Sequence, residues 1–172
     1  MPPQLIFLIH LVLGYAACLL FFATWLLPRL RSVEPAVAQR AIATLHSFRF
    51  FGLVFILPGV VGPNLPASFA SFAAYADFAT GVLALLALLT FRIRPVFWLF
   101  VAAYNLTGLA DLLVDYYHAI RAGLPAVAGQ LGAAYVIPIL FVPLLMITHL
   151  VALYWLARPH SAAAPALARE AA

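Results

Sequence analysis

The chain has 172 residues, of which 67% are hydrophobic and 8% are charged, whereas soluble domains contain about 25% charged residues. A soluble fold of this length cannot bury so much apolar surface, so the composition excludes a soluble globular protein and predicts one polytopic membrane bundle. The net charge of +4 does not indicate nucleic-acid binding, because the basic residues lie between apolar runs, where they act as topology signals.

Five apolar runs are long enough to cross the hydrocarbon core of a bilayer, which takes about 20 helical residues. They cover about residues 5–27, 41–61, 69–91, 95–118 and 132–157. Pro28 is expected to close the first run, and Pro95 opens the fourth, where its missing N–H costs nothing. The predicted fold class is therefore all-α, with five transmembrane helices in one domain, residues 1–157. A short cytoplasmic tail, residues 158–172, is expected to be disordered.

The loops between these runs alternate in charge. Seven Arg lie in the first loop, the third loop and the tail, whereas the second loop has no charge and the fourth has only Arg121. The positive-inside rule therefore predicts an external N-terminus and a cytoplasmic C-terminus. Tryptophan prefers the membrane interface, and every Trp lies near a predicted cytoplasmic helix end. These residues are Trp25, Trp98 and Trp155.

The absence of Lys and the many Ala are typical of a GC-rich bacterial genome. The predicted location is thus a bacterial inner (cytoplasmic) membrane, which the chain crosses several times. The single cysteine, Cys18, excludes an intramolecular disulfide and is interpreted as a small packing residue.

Ionisable residues inside the apolar runs mark the candidate site. Asp111, Asp115 and His118 lie at i, i+4 and i+7, on a helical face that continues back through Gly108 and Tyr104. Such residues usually face a bundle interior or a wet cavity, and other polar groups lie at a similar depth or nearby. The predicted ligand-binding residues are His10, Asp77, Tyr104, Asn105, Asp111, Asp115 and His118.

A buried ion pair between Arg49 and Asp77 is predicted from the short turn that joins the second and third runs. Arg49 lies about 7–8 Å farther from that turn than Asp77 does, a gap that an Arg side chain can span. Pairing is favoured because an isolated charge at a helix centre costs about 2.5–3.5 kcal/mol; the alternative is that each side chain reaches its own water face. The pair would leave Asp111 and Asp115 without a cation, so that they are protonated, pair with His, bind a metal or face a water-filled vestibule.

The same residues carry several chemical alternatives. Asp111 or Asp115 as acid or base, with His118 as proton partner, are the catalytic candidates. His10, Asp111, Asp115 and His118 have the types of metal ligands, although no tight spacing motif is present. The pair His46 and His149 lies at similar inner depths and is the haem candidate. The identity of any cofactor stays open at this point.

The fifth apolar run contains Pro138 and Pro143, each of which frees a backbone carbonyl one turn back. The freed carbonyls either line a ligand site, or the prolines only kink the helix. The stretch from Tyr135-Val136-Ile137-Pro138 through Pro143 is similar to the last helix of the sterol isomerase and sigma-2 receptor group. That resemblance implies four or five spans with acidic residues facing a lipid-like ligand. The plan of five spans resembles the tryptophan-rich sensory protein family in architecture, although the Trp-dense segments of that family are absent.

The favoured hypothesis is a protein that binds or carries a lipophilic small molecule, with the Asp/His cluster fixing its polar end. The alternatives are an isomerase-like acid/base enzyme acting on a lipid or isoprenoid, an accessory subunit of a larger membrane complex, and a metal- or haem-binding protein. Arg49 in mid-membrane argues against a cation path. The expected partners are the lipid bilayer, the ligand, and either a second copy of the chain or another membrane protein, but not nucleic acid.

Overall fold

The computed structural model describes residues 1–158, and within that range every regular element is helical. The α-helices are α1, Pro3–Phe21; α2, Leu27–Arg31; α3, Pro35–Ser47; α4, Ala67–Leu89; α5, Arg94–Arg121; and α6, Val142–Ala157. The 3₁₀ helices are Phe48–Ile56 and Leu124–Tyr135, and single π-helical turns cover Phe22–Leu26 and Ile137–Phe141. The predicted tail, apart from Arg158, lies outside the described residues.

Four helices within residues 1–158 are long and apolar enough to cross a membrane. They are Pro3–Arg31, Ala67–Leu89, Arg94–Arg121 and Ile137–Ala157. They correspond to the first, third, fourth and fifth predicted spans, so the prediction of an all-helical protein with apolar membrane-length helices is confirmed.

The predicted second span, residues 41–61, is not one continuous α-helix. After Ser47 the chain winds into the 3₁₀ helix Phe48–Ile56. Residues three apart are eclipsed in a 3₁₀ helix, and Arg49, Gly52 and Phe55 are the buried residues of this one. The tighter winding thus places Arg49 on the face that packs against α4.

Small residues on α4 allow this close approach. A Cβ at Gly81 would lie 2.9 Å from the backbone nitrogen of Phe50, so any side chain there would push the two backbones apart. At one end of the contact Ala43 packs in the same buried cluster as Ala84, and at the other Phe55 meets Phe69 edge-on at 5.8 Å. The chain from Pro35 to Ile56 therefore runs antiparallel to α4 along most of its length.

Two predicted helix boundaries are wrong. Pro28 does not close the first helix, which continues through a π-helical turn to Arg31, because a proline in the first turn of the following helix needs no N–H. The last predicted run is interrupted at Gly132, whose φ of +53° and ψ of −130° kink the 3₁₀ helix, and the membrane-length helix begins at Ile137 rather than at residue 132.

Two carbonyls near Pro143 face α1, and the one that the proline frees is that of Ile139. The carbonyl of Ile139 faces Gly14 of α1 so closely that a Cβ at Gly14 would collide with it. The thiol of Cys18 donates to the carbonyl of Leu140, with a sulfur–oxygen distance of 3.6 Å. These carbonyls lie at the junction of α1 with the last helix.

The loops meet at two opposite ends of the bundle. Arg94 donates to Glu34 at 2.9 Å, which joins the third loop to the first. At the other end the amide of Gly62 donates to the carbonyl of Gln130 at 2.7 Å, which joins the second loop to the 3₁₀ helix Leu124–Tyr135. Alternate loops therefore lie at the same end of the bundle.

Candidate functional site

An apolar cavity of about 240 Å³ lies between α1, α4, α5 and the segment that precedes α6. Its polar groups are two carboxyls and one phenol, those of Asp77, Asp115 and Tyr116. The remaining wall is apolar and consists of Phe7, Leu8, Leu11, Phe55, Phe69, Ala73, Leu112, Ala119, Ile120, Leu124, Pro125, Ile137, Pro138 and Val142. The cavity thus has one polar side in an otherwise hydrophobic lining.

Arg49 lies behind this polar side and is completely buried. Its Nε donates to Asp77 Oδ1 at 2.6 Å, and its Nη2 forms ion pairs with both Asp77 and Asp111. The expectation that Asp111 lacks a cation is therefore wrong. It arose because Arg49 had been assigned to one carboxylate, whereas the planar guanidinium reaches two.

Two glycines make room for this group of charges. A Cβ at Gly52 would lie 2.7 Å from Cγ of Asp77, and a Cβ at Gly108 would lie 2.7 Å from Nη1 of Arg49. That Nη1 also donates to the carbonyl of Gly108, at 3.3 Å. No larger residue fits at either position without displacing an ion-pair partner.

His149 continues the network towards the other end of the bundle. Its Nε2 lies 3.1 Å from Arg49 Nη1, which can only donate, so Nε2 must accept. Nδ1 of the neutral ring then carries the hydrogen and donates to Asn105 Oδ1 at 2.9 Å. The hydrogen bonds therefore assign both the tautomer and the neutral state of His149.

His46 stacks on His149, with ring centroids 3.8 Å apart. Its Nε2 lies 3.0 Å from Oγ1 of Thr148, which itself donates to the carbonyl of Leu144 and so accepts from His46. The rings face each other without space for a porphyrin between them, and both nitrogens of His149 are already used. The haem candidates His46 and His149 therefore do not form a haem site.

Asp115 lies one helical turn from Asp111 and lines the cavity, but it does not share the guanidinium. Its buried Oδ1 has no hydrogen-bond partner among residues 1–158. The neighbouring Tyr116, which also lines the cavity, shares a hydrogen bond of 2.6 Å with Tyr15 of α1. Within residues 1–158, Asp115 therefore lines the cavity with neither an ion pair nor a hydrogen-bond partner for its buried Oδ1.

The other predicted site residues lie apart from the cavity. His10 is exposed, and its Nδ1 lies 3.0 Å from the hydroxyl of Tyr135. His118 packs edge-on against Phe72 at 4.9 Å and is not part of the cavity wall. Tyr104 and Asn105 are buried beside the two stacked histidines rather than at the cavity.

The candidate metal ligands are not gathered either. In residues 1–158, no three His, Cys, Asp or Glu side chains are grouped so that they could hold a metal ion. The predicted metal centre is therefore not formed by its candidates His10, Asp111, Asp115 and His118. His10 pairs with Tyr135, and Asp111 pairs with Arg49.

Sequence reasoning missed Gly52, Tyr15 and Tyr116. Gly52 lies three residues after Arg49 and so shares a face with it in an α-helix as well, but the buried series Arg49, Gly52 and Phe55 stays on one face only in a 3₁₀ helix. Tyr15 and Tyr116 carry a weaker signal, that of phenols inside apolar runs, which usually find a partner when they are buried.

Residues 6–157 match the family described as a domain of unknown function, DUF8737. Because the match covers most of the chain, the protein belongs to this family. No curated protein and no solved structure matches the sequence.

Proposed function

We propose that the protein binds a lipophilic small molecule in the 240 Å³ cavity, with the polar end of the molecule held at Asp115 beside Asp77. Small-molecule sites are typically apolar pockets with a few convergent polar groups, and this lining has that composition. The observation that supports the proposal most directly is that Asp115 lines the cavity and its buried Oδ1 has no hydrogen-bond partner in residues 1–158. A buried polar atom without a partner costs about 1–3 kcal/mol, which a ligand donor would recover.

The Arg49 cluster is the rigid support of this site. Arg49 fixes Asp77 and Asp111, and through them it fixes adjacent positions on α4 and α5. Sites whose polar groups are held by surrounding hydrogen bonds bind with less loss of conformational entropy. In this proposal Asp77 both pairs with Arg49 and closes one side of the cavity.

The proposed topology has five membrane crossings, with the N-terminus outside and the C-terminus in the cytoplasm of a bacterial cell. The crossing added to the four membrane-length helices is the second in chain order, from Pro35 to Ile56, which contains 13 α-helical and nine 3₁₀ residues. At about 1.5 Å and about 2.0 Å per residue it spans roughly 35–40 Å, enough for the hydrocarbon core. Its packing along α4 supports this assignment.

Cysteine labelling of intact cells tests the topology. A cysteine in place of Asn64 in the second loop should react with a membrane-impermeant maleimide, and one in place of Ser32 in the first loop should react only after lysis. Both are introduced beside the buried Cys18, and the unsubstituted protein is the blank. The opposite labelling pattern would reverse the orientation, and equal labelling of both sites in intact cells would refute five crossings.

Native mass spectrometry of the detergent-purified protein, followed by organic extraction, tests ligand binding. Ala119 lines the cavity, so Ala119→Phe should fill it and remove the bound molecule. Ala110 lies on the same helix with an exposed side chain, so Ala110→Phe is the matched control and should retain the molecule. A wild-type protein that carries no small molecule, or equal retention by both variants, would contradict the proposal.

A further inference from the structure

Building on the proposed function, we infer that the ligand of the cavity is a lipophilic amine, whose ammonium group pairs with Asp115. This assigns a chemical class to the polar end of the ligand. The inference rests on the ion pairs and hydrogen bonds around Arg49.

The charge balance is the first part. Three carboxyls, those of Asp77, Asp111 and Asp115, lie around the cavity and the adjoining cluster, together with one guanidinium. His149 is neutral because its Nε2 accepts from Arg49. Two of the three carboxyls share the single cation, and Asp115 has none.

The hydrogen-bond balance is the second part. Arg49 has five N–H groups, and five contacts account for them: two with Asp77, one with Asp111, one with the carbonyl of Gly108 and one with His149. The phenol of Tyr116 is engaged with Tyr15. Neither the guanidinium nor the neighbouring phenol therefore supplies the donor that Asp115 Oδ1 lacks.

The choice among ligand classes follows from this deficit. A carboxylate ligand would add a like charge next to Asp115 and would be repelled. An alcohol would donate one hydrogen bond but would leave an ionised Asp115 without a cation. An ammonium group supplies both the donor and the opposite charge, and charge-assisted hydrogen bonds are about twice as strong as neutral ones. The apolar wall requires that the rest of the molecule be hydrophobic.

Three probes with the same tail separate these classes: octylamine, octanol and octanoate, each titrated into the purified full-length protein at pH 7. Binding is measured by calorimetry and counted only where Ala119→Phe abolishes it, which removes partition into detergent. The amine should bind at least about tenfold more tightly than the alcohol, a difference of about 1.4 kcal/mol. Octanoate should bind most weakly.

Two variants assign the preference to Asp115. Asp115→Asn should weaken amine binding at least about tenfold while changing alcohol binding less than about threefold, because the charge-assisted bond is the difference. Asp115→Glu keeps the charge and should retain the preference for the amine. Glu34→Gln removes an exposed carboxylate at the far end of the bundle and should leave the binding of all three probes unchanged. Circular dichroism confirms that each variant is folded.

Failure of the inference is distinct from failure of the proposed function. If octanol or octanoate binds as tightly as octylamine and Ala119→Phe abolishes that binding, the cavity is a ligand site but not an amine site. An amine preference that survives in Asp115→Asn also overturns the inference. If no probe binds and the purified wild-type protein carries no extractable molecule, both the inference and the proposed function are wrong.

Discussion

Asp111 and Asp115 are one helical turn apart on α5, yet their surroundings differ in kind. Asp111 pairs with the buried Arg49 in a network that reaches His149 and Asn105. Asp115 borders the cavity and has no ion pair within residues 1–158, whereas a buried Oδ1 without a hydrogen-bond partner is common to both carboxyls. The same side chain on the same helical face thus belongs to a structural cluster in one case and to a candidate binding surface in the other. The difference is that the guanidinium of Arg49 reaches Asp111 but not Asp115.

Removal of Arg49 is expected to have the largest effect on stability. Arg49→Met leaves Asp77 and Asp111 buried without their cation, and removing one partner of a buried pair costs about 3–5 kcal/mol. We expect a large drop in Tm, measured by intrinsic tryptophan fluorescence, or loss of folded protein. A Tm of Arg49→Met equal to that of the wild type would show that the cluster does not stabilise the bundle.

A smaller effect is expected at Gly108. Gly108→Ala places a Cβ 2.5 Å from His149 Nε2, so the ring and the guanidinium must shift, at a cost of about 1–3 kcal/mol. Gly129→Ala is the matched control, because a Cβ there meets no atom within 4 Å. The Tm should fall in the first variant and not in the second. Equal changes would indicate that α5 and α6 are not packed as closely as described.

The exposed ion pair between Glu34 and Arg94 gives the smallest effect. Surface pairs contribute about 0–1 kcal/mol, since water and salt screen them, so Glu34→Gln should lower the Tm by a few degrees at most. Added salt should reduce even that difference. A loss comparable to that of Arg49→Met would contradict the distinction between buried and exposed charges in this protein.

Much of the helical architecture could be predicted from hydropathy, because a membrane helix needs a long apolar run wherever it lies. The winding of residues 48–56 could not, because hydropathy reports which residues avoid water and not how many residues form a turn. The three-residue spacing of Arg49, Gly52 and Phe55 becomes meaningful only when the segment packs on α4. The break at Gly132 likewise depends on a positive φ that composition does not reveal.

The candidate site was predictable only in part, for a geometrical reason. Helical periodicity places Asp111, Gly108 and Tyr104 on one face, and the structure buries all three. Depth along a helix says nothing about rotation around its axis, so His10 was expected in the cluster although its ring is exposed and pairs with Tyr135. Cavity residues such as Phe7 and Tyr116 come together only in three dimensions.

The most direct test of the central claim compares Asp111→Asn with Asp115→Asn in one experiment that records both Tm and the bound small molecule. Asp111→Asn removes a partner of the buried Arg49, so we expect a loss of about 1–3 kcal/mol in the free energy of unfolding and a lower Tm.

Asp115→Asn removes no ion pair within residues 1–158, so the Tm of the ligand-free protein should be unchanged while the bound molecule is lost. A lower Tm in Asp111→Asn only, together with loss of the molecule at an unchanged Tm in Asp115→Asn, would establish that Asp111 is a structural carboxylate and Asp115 a binding one. Equal losses of stability in both variants, or retention of the bound molecule by Asp115→Asn, would contradict the account.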